Sequence, residues 1–293
     1  MPLVRLSHRG RLVLNSVLAL ATVGVALVVV LGWKSATRPF QPAACQATAA
    51  GSTFQVSPEQ MANAATIAGI AVKRHLPARA ATIALATARQ ESKFINVDYG
   101  DRDSLGLFQQ RPSQGWGTPA QVRDPVHATN AFYDALVKVH GYQSMEITKV
   151  AQKVQRSAYP EAYADHEPEG RVLASALTGH STAALTCRLG DGFRPGGATG
   201  LKRYEQALPH EQAPVRVSRI AGVTGVRLAV TDPTLAWSLA QWSVGSAERF
   251  GVTRVYVDGR VWDHRRPDDG WRASPEGGRG VVVLFTDADL PRP

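Results

Sequence analysis

At 293 residues the chain has room for one to three units of ordinary domain size, and its 44% hydrophobic content is enough for a real core. The formal net charge of +9 raises the question of a nucleic-acid partner, but the basic residues form no long stripe and no groove-reading motif is present, which excludes that class. The histidines are scattered, and no His-Glu-x-x-His run, cysteine cluster, Gly-rich phosphate loop or Gly-x-Ser-x-Gly elbow occurs. The sequence therefore implies neither a metal nor a cofactor.

Arg5, Arg9 and Arg11 precede an uncharged run from Leu12 to Gly32, closed by Trp33 and Lys34. Such a run matches the length of about 20 residues that a membrane-spanning helix needs, and the flanking arginines leave the N-terminus in the cytoplasm. The expectation is a cytoplasmic tail and single-pass transmembrane anchor over 1–33, with the bulk of the chain extracytoplasmic. A cleaved signal peptide is the competing reading, although no small-x-small cleavage site follows Trp33. The only cysteines are Cys45 and Cys187, an even pair that suggests one disulfide in an oxidising compartment. Two unrelated buried thiols are the alternative.

Residues 34–51, rich in Ala, Pro, Ser and Thr without periodicity, read as a linker. A helix starts at Ser57-Pro58, where Gln60 completes a capping box. A second, apolar on nearly every side, runs from Pro77 to Glu91. Thr118-Pro119 and Asp124-Pro125 mark further starts, the latter opening a helix to about Val139. Helical patterns cover 146–157 and 161–178, so the region 52–187 reads as an all-α domain. Residues 188–213, with many glycines and prolines, read as a second linker. Beyond it, 214–293 reads as a small α+β module: strands at 226–230, 252–257, 260–262 and 281–285, a helix from Pro233 to Phe250, and a hairpin turn at Asp258-Gly259. Asp258, Trp262, Asp263 and His264 lie together there, and turn residues around an aromatic explain them as well as a site does. The fold class expected for the whole chain is mainly α.

The chemistry is concentrated in Arg89-Gln90-Glu91-Ser92 and in Tyr99-Gly100-Asp101-Arg102-Asp103-Ser104-Leu105-Gly106-Leu107-Phe108-Gln109-Gln110. Glu91 stands at the C-terminal end of the most apolar helix, where the helix dipole and apolar neighbours both disfavour its anion. Both effects push its pKa upward, as a general acid at neutral pH requires. A solvated glutamate on a fraying last turn is the bland alternative. Gly106-Leu107-Phe108-Gln109 combines a turn glycine, two apolar anchors and an amide able to bond a sugar's acetamido group.

The ordered pair of Glu91-Ser92 and Gly106–Gln109 resembles the Glu-Ser and Gly-Leu-(Met/Phe)-Gln motifs of the lysozyme-like superfamily of soluble lytic transglycosylases and goose-type lysozymes. The resemblance covers about 135 residues of the chain. It implies a lysozyme-like domain in which Glu91 protonates the glycosidic oxygen between N-acetylmuramic acid and N-acetylglucosamine in peptidoglycan. Ser92, Gly106 and Gln109 would hold the sugars, and Trp116 could stack on one from the cleft lip. The superfamily's late Ala-Tyr-Asn run has a partial counterpart in Ala158-Tyr159-Pro160, which makes Tyr159 the expected partner of the carboxyl, with Gln155 a further lining residue. Tyr99-Gly100-Asp101-Arg102 resembles the goose-type Gly-Asp-Arg stretch, which makes Asp101 the expected second carboxylate. Asp103 is another candidate, or a cap. The implied activity is muramidase or lytic transglycosylase action, with peptidoglycan and the membrane as partners; long-range attraction between a basic protein and a polyanionic wall suits it. A wall-binding or envelope-assembly protein with the same fold and no cleavage, meeting partner proteins through the C-terminal module, is the alternative.

Overall fold

The computed structural model describes residues 42–155, 160–208, 216–276 and 278–290. The chain divides into two compact units, Met1–Pro42 and Ala43–Pro293, and the description below concerns the second. The expected anchor at 12–32 lies outside the described residues; among these, no helix is long and apolar enough to cross a membrane.

The fold is mixed rather than mainly α, with two antiparallel sheets; the first, which has two of its strands inside 52–187, overturns the expected all-α character of that region. The first has the order β2-β1-β3, from β1 (Ala44–Ala49), β2 (Ser52–Val56) and β3 (Leu185–Arg188). Burial alternates along β1, with Cys45, Ala47 and Ala49 inside. That period of two is carried by residues too small to announce it. The connecting turn hides it further: Ala50 and Gly51 both have positive φ, 49° and 78°, and this two-residue hairpin turn ordinarily advertises itself as Asn-Gly. Within the segment expected as a linker, the described residues 42–51 therefore hold a strand and a turn.

Six helices follow. They are α1 (Pro58–Lys73), α2 (Ala78–Ser92), α3 (Pro119–Val122), α4 (Pro125–Leu136), α5 (Ile147–Gln155) and α6 (Glu167–Leu177), with a 3-10 turn at Pro160–His166 before α6. Ser57 and Gln60 form the capping box that starts α1, and Asp124 caps α4 through the amides of Val126 and His127.

The second expected linker also carries structure. Helix α7 (Gly197–Ala207) sets Leu201 and Tyr204 into the core. Its glycines signalled a loop in the sequence, yet two of them are there for contact. A Cβ on Gly196 or Gly200 would sit 2.0 or 2.1 Å from the Phe250 carbonyl oxygen.

The remaining elements are β4 (Arg216–Arg219), β5 (Gly225–Ala229), α8 (Pro233–Gly245), α9 (Ala247–Phe250), β6 (Arg254–Val257), β7 (Arg260–Asp263), β8 (Trp271–Ala273) and β9 (Val281–Leu284). They build an antiparallel sheet of order β4-β5-β9-β6-β7-β8.

This sheet and the helical region share one hydrophobic core, with α8 between them. Gln241 on α8 is wholly buried and fully bonded. Its Oε1 accepts from the amides of Ala184 and Leu185 (2.7 and 2.9 Å), and its Nε2 donates to the carbonyls of Ala176 and Ser181 (2.7 and 2.8 Å). Ser238 donates to Leu177 O and Trp271 Nε1 to Leu185 O across the same seam. Buried amides so satisfied fix one packing arrangement, since each bond left unmade would cost about 1–3 kcal/mol.

Cys45 lies opposite Cys187 in the β1–β3 register, and the two form a disulfide across 142 residues of sequence. Closing so long a loop should contribute about 2–4 kcal/mol. Replacing both cysteines by serine in the full chain is expected to lower the denaturation midpoint correspondingly. A midpoint equal to the parent's would show that the β1–β3 pairing holds without the bond.

Candidate active site

Helix α2 is buried along the whole stretch from Ala80 to Ala88. Small side chains let α1, α4, α5 and α6 close on it from different sides, so its last turn is delivered to a fixed place. Lys93 ends the helix in the left-handed region (φ 54°), and Phe94 follows at φ 63° with its ring fully buried. Left-handed backbone at non-glycine residues costs about 1–3 kcal/mol each and persists only where neighbours hold it. Here Gln60 Nε2 donates to Lys93 O and Asn63 Nδ2 to Phe94 O, both at 2.8 Å.

Glu91 sits half-buried on that last turn. Tyr163 Oη donates to its Oε1 at 2.6 Å, and the Gln155 side chain bonds the same carboxyl. Burial raises the Glu91 pKa above the ordinary glutamate value. The hydrogen bonds from Tyr163 and Gln155 act in the opposite direction and do not cancel it. Gln155, at the end of α5, also donates to Phe108 O at 2.5 Å, tying the carboxyl to the motif loop.

Tyr163 is set by the chain around it. His166 contacts Gln90 Oε1 at 2.9 Å, and Glu169 takes the Arg89 Nε at 2.8 Å, so the segment after the 3-10 turn is gripped by the residues flanking Glu91. The tyrosine partner foreseen at Tyr159 lies outside the described residues. Sequence reasoning missed Tyr163, although Ala162-Tyr163 repeats the Ala158-Tyr159 pair four residues later.

The motif loop is braced from within. Ser92 Oγ donates to Leu107 O at 2.8 Å and to Ala88 O at 3.1 Å, which locks the loop to the end of α2. Gly106 has φ 77°, its N–H donates to Val97 O, and a Cβ there would lie 2.3 Å from Val122 O. No other residue fits that position. Leu105 and Gln110 exchange backbone hydrogen bonds at 3.1 Å around the loop, while Leu107 and Phe108 are buried and Phe108 stacks on Phe132. Gln109 Nε2 bonds the carbonyls of Tyr99 and Gly106 (3.2 and 3.3 Å), so this expected sugar-binding amide also supports its own loop.

The two candidate aspartates differ sharply. Asp103 accepts from the Ser113 amide (2.7 Å), Arg111 Nε (2.8 Å) and Ser113 Oγ (2.9 Å), which together hold its carboxyl well below the usual range. It braces the 111–113 segment. Asp101 has a side chain 91% exposed, with Arg102 at 4.0 Å as its ion-pair partner. Trp116 is half-buried against the core, and its carbonyl faces His127 Nε2 at 3.4 Å.

In the C-terminal module, the group around Asp258 is structural. Asp258 is a positive-φ turn residue, Trp262 is fully buried, and Asp263 holds buried Arg254 at 3.0 Å. His264 meets Asp287 at 2.8 Å. Among the described residues no three His, Cys, Asp or Glu side chains are grouped to hold a metal ion.

Removing the Tyr163 hydroxyl takes away a bond that favours the charged carboxylate. Tyr163→Phe is therefore expected to raise the Glu91 pKa further, read from the carboxyl carbon-13 shift against pH. A midpoint that falls would mean that water replaces the phenol and that Tyr163 does not hold the group.

The chain matches no protein-family model, and no curated protein is similar to it.

Proposed function

We propose that the protein cleaves the glycan strands of peptidoglycan at the β-1,4 bond between N-acetylmuramic acid and N-acetylglucosamine, with Glu91 as general acid. The observation that carries the reading is the Glu91 carboxyl itself: half-buried at a helix C-terminus, raised in pKa by burial, and oriented by Tyr163 at 2.6 Å. A carboxyl that burial makes a weaker acid than an ordinary glutamate, and that a second side chain orients, suits protonation of a leaving glycosidic oxygen. The Ser92 and Gln155 bonds to Leu107 O and Phe108 O support it, because they couple the acid to the loop that would receive the sugar. The disulfide favours an extracytoplasmic location. The anchor proposed from the sequence would keep the enzyme at the membrane face of the wall.

Of the two aspartates after Gly100, Asp103 is engaged by Arg111 and Ser113, which leaves Asp101 as the carboxylate available to activate water. In a hydrolase that inverts the anomeric carbon the two carboxyl groups stand about 6.5–9.5 Å apart, with water between them. Mass analysis of products from purified peptidoglycan tests this. Reducing N-acetylmuramic acid ends, largely lost in Asp101→Asn, are expected. Products ending only in 1,6-anhydro sugar, with Asp101→Asn indifferent, would assign the reaction to substrate-assisted lytic cleavage.

Glu91→Gln keeps the size and removes the transferable proton, so activity should fall by about a thousandfold or more. A variant cleaving at half the parent rate would remove Glu91 from the reaction. The same substitution has a signed effect on stability. Between the ordinary glutamate value and its raised native value, Glu91 binds more protons folded than unfolded, so rising pH weakens the parent across that window. Glu91→Gln should melt higher than the parent above the window and lose that advantage below it. An advantage that does not vary with pH would show that the carboxyl is not strained.

A further inference from the structure

A side chain of the C-terminal half begins a path of hydrogen bonds that leads to the end of α2. Arg249 on α9 lays its guanidinium against α1: Nη2 donates to Asn63 Oδ1 at 2.7 Å, and Nη1 to Thr66 Oγ1 at 3.0 Å and Ala62 O at 3.4 Å. Asn63, only 2% exposed, passes the contact on, with its Nδ2 donating to Phe94 O at 2.8 Å. Phe94 is the second of the two left-handed residues that end α2, three positions after Glu91. Glu59 is the other charge facing the guanidinium, and it attracts Arg249 toward α1.

We propose that Arg249 is a positioning residue for Glu91, acting through Asn63 on the Phe94 carbonyl, so that the C-terminal module is part of the active site's framework. The inference rests on the glycan-cleaving role given to Glu91 above. A cation bonded to an amide oxygen draws charge from the amide and makes its N–H a stronger donor, so the Asn63–Phe94 bond is reinforced by Arg249. That bond holds backbone which would otherwise leave the left-handed region. If it does so, the last turn of α2 unwinds and Glu91 turns away from Tyr163 toward water. Charge alone at position 249 would not achieve this, because the two η nitrogens reach different acceptors. The seam bonds of Gln241, Ser238 and Trp271 join the halves without touching the Glu91 end of α2.

The experiment uses full-length protein with two substitutions that cut the path at different points. Arg249→Met removes the cation. Asn63→Asp keeps an acceptor for Arg249 and replaces the donor to Phe94 O by a carboxylate oxygen, whose added charge Arg249 pairs. Thr66→Val, which takes a single bond from Arg249, is the milder third variant should Arg249→Met fail to fold. The expected outcome is a fall in kcat on peptidoglycan fragments of about ten- to a hundredfold, the scale of a small misplacement of a reacting group, with KM nearly unchanged. In the same variants the carboxyl carbon-13 titration of Glu91 should move down toward the ordinary glutamate value, less for Thr66→Val. Arg249→Lys should recover only part of both.

The titration needs no substrate, so it tests the path even if the parent releases no sugar fragments. That second result would overturn the proposed activity while leaving the path standing. Folded variants that lose melting temperature but keep the parent titration midpoint and kcat would overturn the path and leave Arg249 as an ordinary seam contact.

Discussion

Everything in the site depends on α2 being enclosed. A helix whose middle is alanine, threonine, isoleucine and leucine from Ala80 to Ala88 has no polar stripe to turn toward solvent, so it must run through the interior. Once there, its direction is set by the helices around it, and the one place where its side chains become polar is its C-terminal end. Arg89, Gln90, Glu91 and Ser92 thus emerge together, and each finds a different partner: Glu169, His166, Tyr163 and Leu107 O. The acid is placed by the removal of every other option for the helix that carries it.

The six-stranded sheet serves the same end from the other side. Trp237 packs edge-on against Trp271, Tyr204 is enclosed by Trp242, Phe250 and Phe285, and Gln241 spends all its hydrogen-bonding capacity on the helical region. A joint of this kind is packed as a core, with its buried polar groups bonded. The C-terminal residues complete the packing of α1, and α1 holds the residues after Glu91 through Gln60 and Asn63.

Much of this was legible in the chain. Ser57-Pro58 with Gln60, and Asp124-Pro125, announce helix starts through capping chemistry that is local and so survives without a fold around it. The position of Glu91 at the end of an apolar run was legible for the same reason. What escaped was whatever tertiary contact decides. The β1–β2 hairpin turns at Ala50, a residue that adopts positive φ only when both strands are already paired. Helix α7 looks like a loop because Gly196 and Gly200 admit the Phe250 carbonyl, a neighbour distant in sequence. Two Ala-Tyr pairs lie four residues apart, and only the grip of His166 and Glu169 on α2 brings the second onto Glu91. Asp101 and Asp103 could not be told apart until Ser113 and Arg111 closed on one of them.

The placement of β1 between β2 and β3 has a consequence for how the molecule is made. A chain emerging from its N-terminus completes the β1–β2 hairpin early, yet the outer edge of β1 stays open until β3 arrives, after all six helices of the central region. An unpaired strand edge is sticky, and contacts that wait on a long loop form slowly. Cys45 meanwhile presents a thiol with no native partner within reach. Until β3 is delivered, this edge and this thiol are open to wrong partners, and the earliest strand among the described residues is among the last to be secured.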